Sequence, residues 1–504
     1  MMKVKKFKPK SDIKKSQTKR KKLKILFVTS ESVPFAKTGG LADVSLALPA
    51  QLIKQGLDVR VILPKYKNID EKRIKLEYVA CNIPVKISDR TENMDILSST
   101  INHTKYYLIK KDKYYDREEL YQTKEGDYPD NCERFTYFSR AVLEALKAID
   151  FKPDIIHCND WQTGLIPVYL KTLYKTDHFF NNIKSVFTIH NIAYQGLFWY
   201  LDMHLTGLDQ ALFTYDKLEF YGKLNYLKAG IVFADKITTV SQKYIEEIKT
   251  PELGYGLHNT IKYRANDLTG IINGADYNIW DPPKDGYIAK NYTIKSVTQG
   301  KKACKKDLQI VADLSLNEDI PLIGMISRLA EHKGFDILSE VIDEIMNLGV
   351  EFVLLGTGEQ KYYDLFTRVK SKHPDYCSIN FIFNDELAHK IEAGADIYLM
   401  PSRYEPCGLN QLYSMRYGTI PVVRATGGLA DTVKPVDIKT GEGTGFVFTE
   451  YSKEALFKTI KEAVELYRND KKFWLKLQQN AMRENFSWEV SAKKYIELYR
   501  SLIQ

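Results

Sequence analysis

The hexapeptide TGGLAD occurs twice in the chain, at positions 38–43 and 426–431. No ladder of intermediate copies joins them, which excludes a short-period solenoid. Two isolated copies, one near each end, point instead to two halves built alike. In the first half LKILFVTS reads as a buried parallel strand, LADVSLALPAQLIKQG as a helix closed by Gly56, and LDVRVIL as the next strand. The glycine pair therefore falls in the turn of a β-α-β unit. Glycine lets a ligand approach the backbone closely. The expectation is two Rossmann-like halves, each aiming a Gly-Gly helix entrance at one shared cleft.

The alternation continues through PDIIHCND (153–160), KSVFTIHN (184–191) and ADKITTVS (234–241). Apolar strands that end in polar residues and lead into helices build an α/β, doubly wound sheet, with ligands at the carboxyl ends of the strands. His157, Asn159, Asp160, His190, Asn191 and Ser241 all fall at or just past such ends. The series closes near LTGIINGAD, and the polar stretch 281–300 reads as a surface excursion. A second series follows, from IPLIGMIS (320–327) through VEFVLLGTG, INFIFND, ADIYLMPS and TIPVVRAT to GTGFVF (443–448).

A chain of 504 residues exceeds one ordinary core. Its 44% hydrophobic and 27% charged content is that of a globular protein. No run of 18 apolar residues is present, so no spanning helix is expected, and the opening 24 residues lack the apolar region of a secretory signal. Those 24 residues hold twelve Lys or Arg and one Asp, against a net charge of +9 for the whole chain. The remainder is nearly neutral, so the basic pI is no argument for a nucleic-acid partner. The tail is either simply solvated or a contact for an anionic surface. Six scattered cysteines without a C-x-x-C pair imply neither a zinc site nor a disulfide framework, and suit a reducing, cytoplasmic setting.

Three stretches carry chemistry. AKTGGLADV (36–44) places Lys37 and two glycines at a helix start, suited to an anion, or else forms a tight turn with a solvated lysine. It is not a Walker A loop. SRLAEHKGFD (327–336) sets Arg328 and Lys333 after the first strand of the second half, where two cations suit a diphosphate leaving group. PSRYEPCGLNQ (401–411) offers Glu405 for a sugar hydroxyl, or as a helix N-terminal acid. The amides of Cys407, Gly408 and Leu409 are placed for phosphate oxygens. Cys407 as a nucleophile lacks a nearby histidine in sequence.

Together with HCNDWQTGL, FTIHNIAYQG, INGAD and ATGGLADTV, these motifs resemble, in order, those of bacterial glycogen synthases and plant starch synthases. The resemblance spans roughly 24–500. It implies a metal-independent, cofactor-free GT-B enzyme that moves glucose from ADP-glucose to the non-reducing end of glycogen or another α-1,4-glucan, with retention. It implies an N-terminal domain at 24–268 on the glucan side, behind a basic tail at 1–23. A donor-side domain at 269–484 and a helix at 485–504 crossing back to the first domain complete the chain. On the donor side it places Lys37, Gly39, Gly40, Asn273, Arg328, Lys333, Phe383, Cys407, Gly408, Leu409, Thr426 and Gly427. His190, Glu405, Lys333 and Arg328 carry the chemistry, and Asp43, Asp160 and Asn191 lie towards the acceptor. Phe383 falls where the family sets a ring against adenine, although core packing at the end of INFIF would also explain it. HCNDW, INGAD and Asn410 depart from the commoner HAHDW, NGID and Thr without removing a charged group assigned above. The alternatives are UDP-glucose as donor, a nucleotide-sugar epimerase of the same architecture, and a catalytically silent glucan-binding or regulatory protein.

Overall fold

The computed structural model describes residues 22–503. Most of the basic tail, residues 1–21, lies outside the described residues. Two sheets organise the chain. The first has nine strands in the order Leu268–Gly270, Lys236–Thr239, Lys184–Ile189, Ile155–Asn159, Lys24–Val28, Asp58–Pro64, Thr104–Lys110, Arg90–Ile101, Glu77–Ile87. The first seven run parallel, and the last two add an antiparallel hairpin. The second sheet has six parallel strands: Cys377–Asn380, Glu351–Leu355, Leu322–Ile326, Ile397–Met400, Ile420–Arg424, Phe446–Phe448.

In each sheet the strand order reverses beside the earliest parallel strand. Lys24–Val28 lies between Asp58–Pro64 and Ile155–Asn159, and Leu322–Ile326 lies between Glu351–Leu355 and Ile397–Met400. A crevice opens at such switch points, outside the carboxyl ends of the strands. The loops leaving them are 29–39 and 327–334, which hold the first TGG and the Arg328–Lys333 pair.

The last strand of the first sheet, Leu268–Gly270, straddles the domain boundary expected at 268. The chain then crosses to the second sheet, and the returning chain touches the crossing point, with the Ala275 amide donating to the Phe486 carbonyl at 2.7 Å. The following helix, Trp488–Ser501, packs on the first domain. Its Ala492, Tyr495 and Tyr499 share a core with Val44, Leu48 and Leu52 of helix Gly40–Lys54. The Tyr499 hydroxyl also meets His157 Nδ1 at 2.7 Å.

The stretch 281–300 is exposed over more than half of its length, as its polarity suggested, but buried residues anchor it. Asp281, Asp285 and Tyr292 are buried against the second domain. Arg416 donates to Asp281 at 2.6 Å, and Asp285 accepts from Tyr417 and from His389 at 2.7 Å. The two buried aspartates each have fixed polar partners, which makes their burial tolerable.

Candidate functional site

The two TGG copies use their glycines differently. Around Gly39 a Cβ would meet nothing within 4 Å, and around Gly40 only Leu409 Cδ1 of the other domain, at 3.9 Å. This pair is exposed and opens onto the cleft. The second pair is buried. A Cβ on Gly427 would lie 2.0 Å from the Glu405 carbonyl oxygen, and one on Gly428 the same distance from that of Cys407. The second copy is therefore a backbone seat for the Glu405–Cys407 loop, whereas the first is open. Both entrances face the opposite domain, as expected, but only the first has open space beside its glycines.

Each entrance already holds a carboxylate. Glu31 accepts from the Thr38 amide (2.6 Å), the Thr38 hydroxyl (2.8 Å) and the Gly39 amide (3.2 Å), and from Tyr121 at 3.0 Å. Burial raises the Glu31 carboxyl above its ordinary range, while these donors pull it down. At the second copy the Thr426 hydroxyl and the Gly427 amide both donate to Glu247 Oε1 at 2.9 Å. Glu247 belongs to helix Gln242–Ile248 of the first domain. In return Asp431, the last letter of the repeat, accepts from the Gln242 and Lys243 amides at 2.6 and 3.0 Å. Thr426 and Gly427 are thus engaged by the opposite domain. The first copy's Asp43 instead pairs with Lys37 at 2.9 Å.

A cavity of about 300 Å³ joins Thr38, Gly39 and Gly40 to Arg328, Lys333, Glu405, Gly408 and Leu409, with Ser327, Ser402 and Asn410 on its wall. Lys333 Nζ donates to Glu405 Oε2 at 2.6 Å, and the Ser402 hydroxyl donates to the same oxygen at 3.2 Å. Arg328 is exposed and reaches the Tyr194 hydroxyl of the first domain at 3.3 Å. Asn410 donates to the Ile326 carbonyl (2.9 Å) and to the Tyr398 hydroxyl (2.6 Å), which fixes the strand end that launches Arg328.

His190 and Asp160 form a neighbouring unit outside this lining. Asp160 accepts the His190 amide at 2.8 Å, and His190 Nε2 meets Asn159 Oδ1 at 3.0 Å. Burial lowers His190 to about 3, so its imidazole is neutral at ordinary pH. Burial pushes Asp160 up to about 7, while the His190 and Asn191 amides pull it down. Asp160 also has φ +55° with ψ −179°, a strained backbone for a non-glycine residue. Asp160 is therefore a support for the His190 loop, and the cavity lining does not include it. Asn191 accepts the Ala193 amide at 3.0 Å, which turns the same loop.

Asn273 is buried beside Cys407, whose thiol is pushed up to about 12 by burial, a poor nucleophile. Phe383 is 78% exposed beyond strand Cys377–Asn380, so core packing does not explain it. Sequence reasoning missed Glu31, Glu247, Asp431 and Tyr194. Glu31 stands just past the first strand end, where the rule applied to His157 and Asp160 would have found it. The partnership of Glu247 with Thr426 joins residues 179 positions apart and leaves no local signal.

Residues 24–263 match the family model described as the starch synthase catalytic domain, and 307–482 the model for glycosyl transferases group 1. The glycogen synthase of Geotalea daltonii is 48% identical over 95% of this chain and 99% of its own. The glycogen synthase of Thermosipho africanus is 47% identical with the same coverage.

The chain belongs to the glycogen/starch synthase family.

It is accordingly a glucosyltransferase, as its motifs implied, and these relatives favour that reading over the epimerase. The solved catalytic domain of starch synthase IV from Arabidopsis thaliana, described as bound to ADP and acarbose, superposes with a TM-score of 0.88. It is 32% identical and is matched over 96% of this chain and 99% of its own. A sucrose-phosphate synthase from Thermosynechococcus elongatus, at 16% identity and TM-score 0.60, shares the fold alone. The fold is GT-B. Among the described residues no helix is long and apolar enough to cross a membrane.

Proposed function

We propose that the chain transfers glucose from ADP-glucose to the non-reducing end of an α-1,4-glucan such as glycogen, with retention at the anomeric carbon, in the cytoplasm. The observation that carries this reading is the Lys333–Glu405 pair at 2.6 Å, in a cavity whose far wall is the open Gly39–Gly40 entrance. Lys333 and Arg328 neutralise the charge that grows on the departing diphosphate. Glu405 accepts a glucose hydroxyl, while the amides of Gly408 and Leu409 face the phosphates. His190, in the neighbouring unit, is neutral and adds no charge to the site.

Two candidate nucleophiles are poorly suited to attack. The Cys407 thiol stays protonated, and the Glu405 carboxylate is held by Lys333 and Ser402. We therefore favour departure of the diphosphate and attack by the acceptor O4 on one face of the sugar. The cations do the neutralising work, so chelators are expected to leave the rate unchanged. The ADP bound to the starch synthase IV domain, and the exposed Phe383 ring of this chain, support the adenine nucleotide over UDP-glucose. The test is incubation with labelled ADP-glucose and glycogen. Label incorporated into glycogen and released by an α-1,4-specific hydrolase supports the reading, and free labelled sugar without incorporation overturns it.

A further inference from the structure

The stretch YQGLFWYL (194–201) and the stretch EFYGKLN (219–225) meet in a small antiparallel sheet. Its strands are Leu197–Trp199, Lys223–Asn225 and Glu219–Phe220, with Lys223–Asn225 in the middle. Side chains alternate between faces. Phe198 and Leu224 face inwards, and the Phe198 ring lies 4.7 Å from that of Tyr226 and 5.8 Å from that of Trp161. Leu197 and Trp199 face outwards, and Trp199 is 60% exposed. Lys223 stands opposite both Trp199 and Phe220, and so shares their face. In the adjoining turn Tyr221 is 80% exposed, its ring edge-on to Phe220 at 4.8 Å.

Among the described residues, seven of the eleven exposed aromatic side chains fall between 194 and 263, and the Trp199–Tyr200 and Phe220–Tyr221 rings adjoin at 5.8 and 4.8 Å. Two chains of contacts link this surface to the cleft. Tyr194, at the start of the stretch, accepts from Arg328. On the other side Gly256 lies against Phe220 and Tyr221, where a Cβ would come within 2.7 Å of the Phe220 ring. The adjacent Tyr255 meets Tyr404 at 6.0 Å, and Tyr404 stacks on His332 at 5.2 Å, next to Lys333.

We propose that the outer face of this sheet, with Trp199 and Tyr221 flanking Lys223, holds the body of the α-glucan while its chain end lies in the cleft. This rests on the glucan-elongating function proposed above and extends the acceptor site beyond the cavity. A sugar ring offers an apolar C–H face that lies flat on an aromatic ring, and a rim of hydroxyls that bonds to tyrosine hydroxyls and ammonium groups. Tyrosine and tryptophan combine an apolar body with a polar tip, which suits that surface. Lys223, on the middle strand, stands between Trp199 and Phe220, so the exposed rings border an ammonium group, which suits a hydroxyl-rich ligand.

The test compares wild type with Trp199→Ala, Tyr221→Ala and the double variant, using Tyr78→Ala, an exposed tyrosine on strand Glu77–Ile87 of the first sheet, as control. Two readouts are taken. One is retardation in native gels containing glycogen, without donor. The other is the half-saturating concentration of glycogen and of maltotriose at saturating ADP-glucose. Each ring is expected to raise the glycogen value on the order of two- to tenfold, the double variant more, with matching loss of retardation. The maltotriose value and the Tyr78→Ala control should stay within twofold. Unchanged retardation and glycogen saturation would overturn the proposal, as would equal losses on maltotriose and glycogen. Absence of any transfer by wild type would instead overturn the proposed function, and the donor-free gel would still judge the surface.

Discussion

Replacing Lys333 by alanine removes one group with two jobs. Its ammonium is the nearest partner of Glu405 Oε2, at 2.6 Å, with side chains 21% and 9% exposed respectively. Loss of one preorganised charge partner for a leaving group lowers kcat by about 10²–10³, or roughly 2.7–4 kcal/mol of barrier. Breaking a fully buried pair costs about 3–5 kcal/mol in stability. Here the lysine is partly wet and Ser402 still donates to the same oxygen, so a cost of about 1–3 kcal/mol is expected. For a domain of this size that lowers the melting temperature by about 2–4 °C per kcal/mol. The assay is initial rate at saturating donor and glycogen, with circular dichroism to confirm the fold. Lys333→Arg, which restores the charge on a differently shaped group, should recover stability more fully than turnover. Turnover within tenfold of wild type for Lys333→Ala, with only a raised donor KM, would refute the reasoning. The lysine would then bind ground and transition states equally.

Three further outcomes follow from the geometry. Asp160 has its folded pKa raised to about 7, so the folded state keeps a proton that the unfolded state releases. Its share of stability is present below the unfolded value and is lost as pH rises towards about 7. Asp160→Asn should flatten that part of the melting-temperature profile, and identical profiles for both proteins would contradict it. Glu247→Ala and Asp431→Ala break the two halves of the reciprocal contact between domains. Each should widen the particle in solution scattering, with a non-additive double variant, and unchanged profiles would show that the contact does not hold the domains together. Phe383→Ala should raise the ADP-glucose KM about two- to tenfold with little change in melting temperature, because the ring is exposed. A drop of several degrees would return it to a structural role.

The strands were legible because buried parallel strands are short apolar runs, and the switch-point rule then put Arg328, Lys333, Gly39 and Gly40 on one cleft. What the motif could not reveal was the surroundings of its second copy. Gly427 and Gly428 have the same letters as Gly39 and Gly40, yet backbone carbonyls press on one pair and open space surrounds the other. The polarity of 281–300 likewise concealed its buried anchors. Asp285 looks solvated until His389 and Tyr417, more than 100 positions away, are seen to satisfy it. Glu31 is readable from its place just past the first strand end, whereas Glu247 acquires its role only when two domains meet.

The central claim is that this cleft passes glucose from an adenine nucleotide to a glucan. It is tested most directly by kcat/KM for ADP-glucose and for UDP-glucose on glycogen, under identical conditions and with the anomeric configuration of the new linkage read by NMR. A clear preference for ADP-glucose and an α-1,4 linkage are the expected results. Equal values, a preference for UDP-glucose, or a β linkage would contradict the claim.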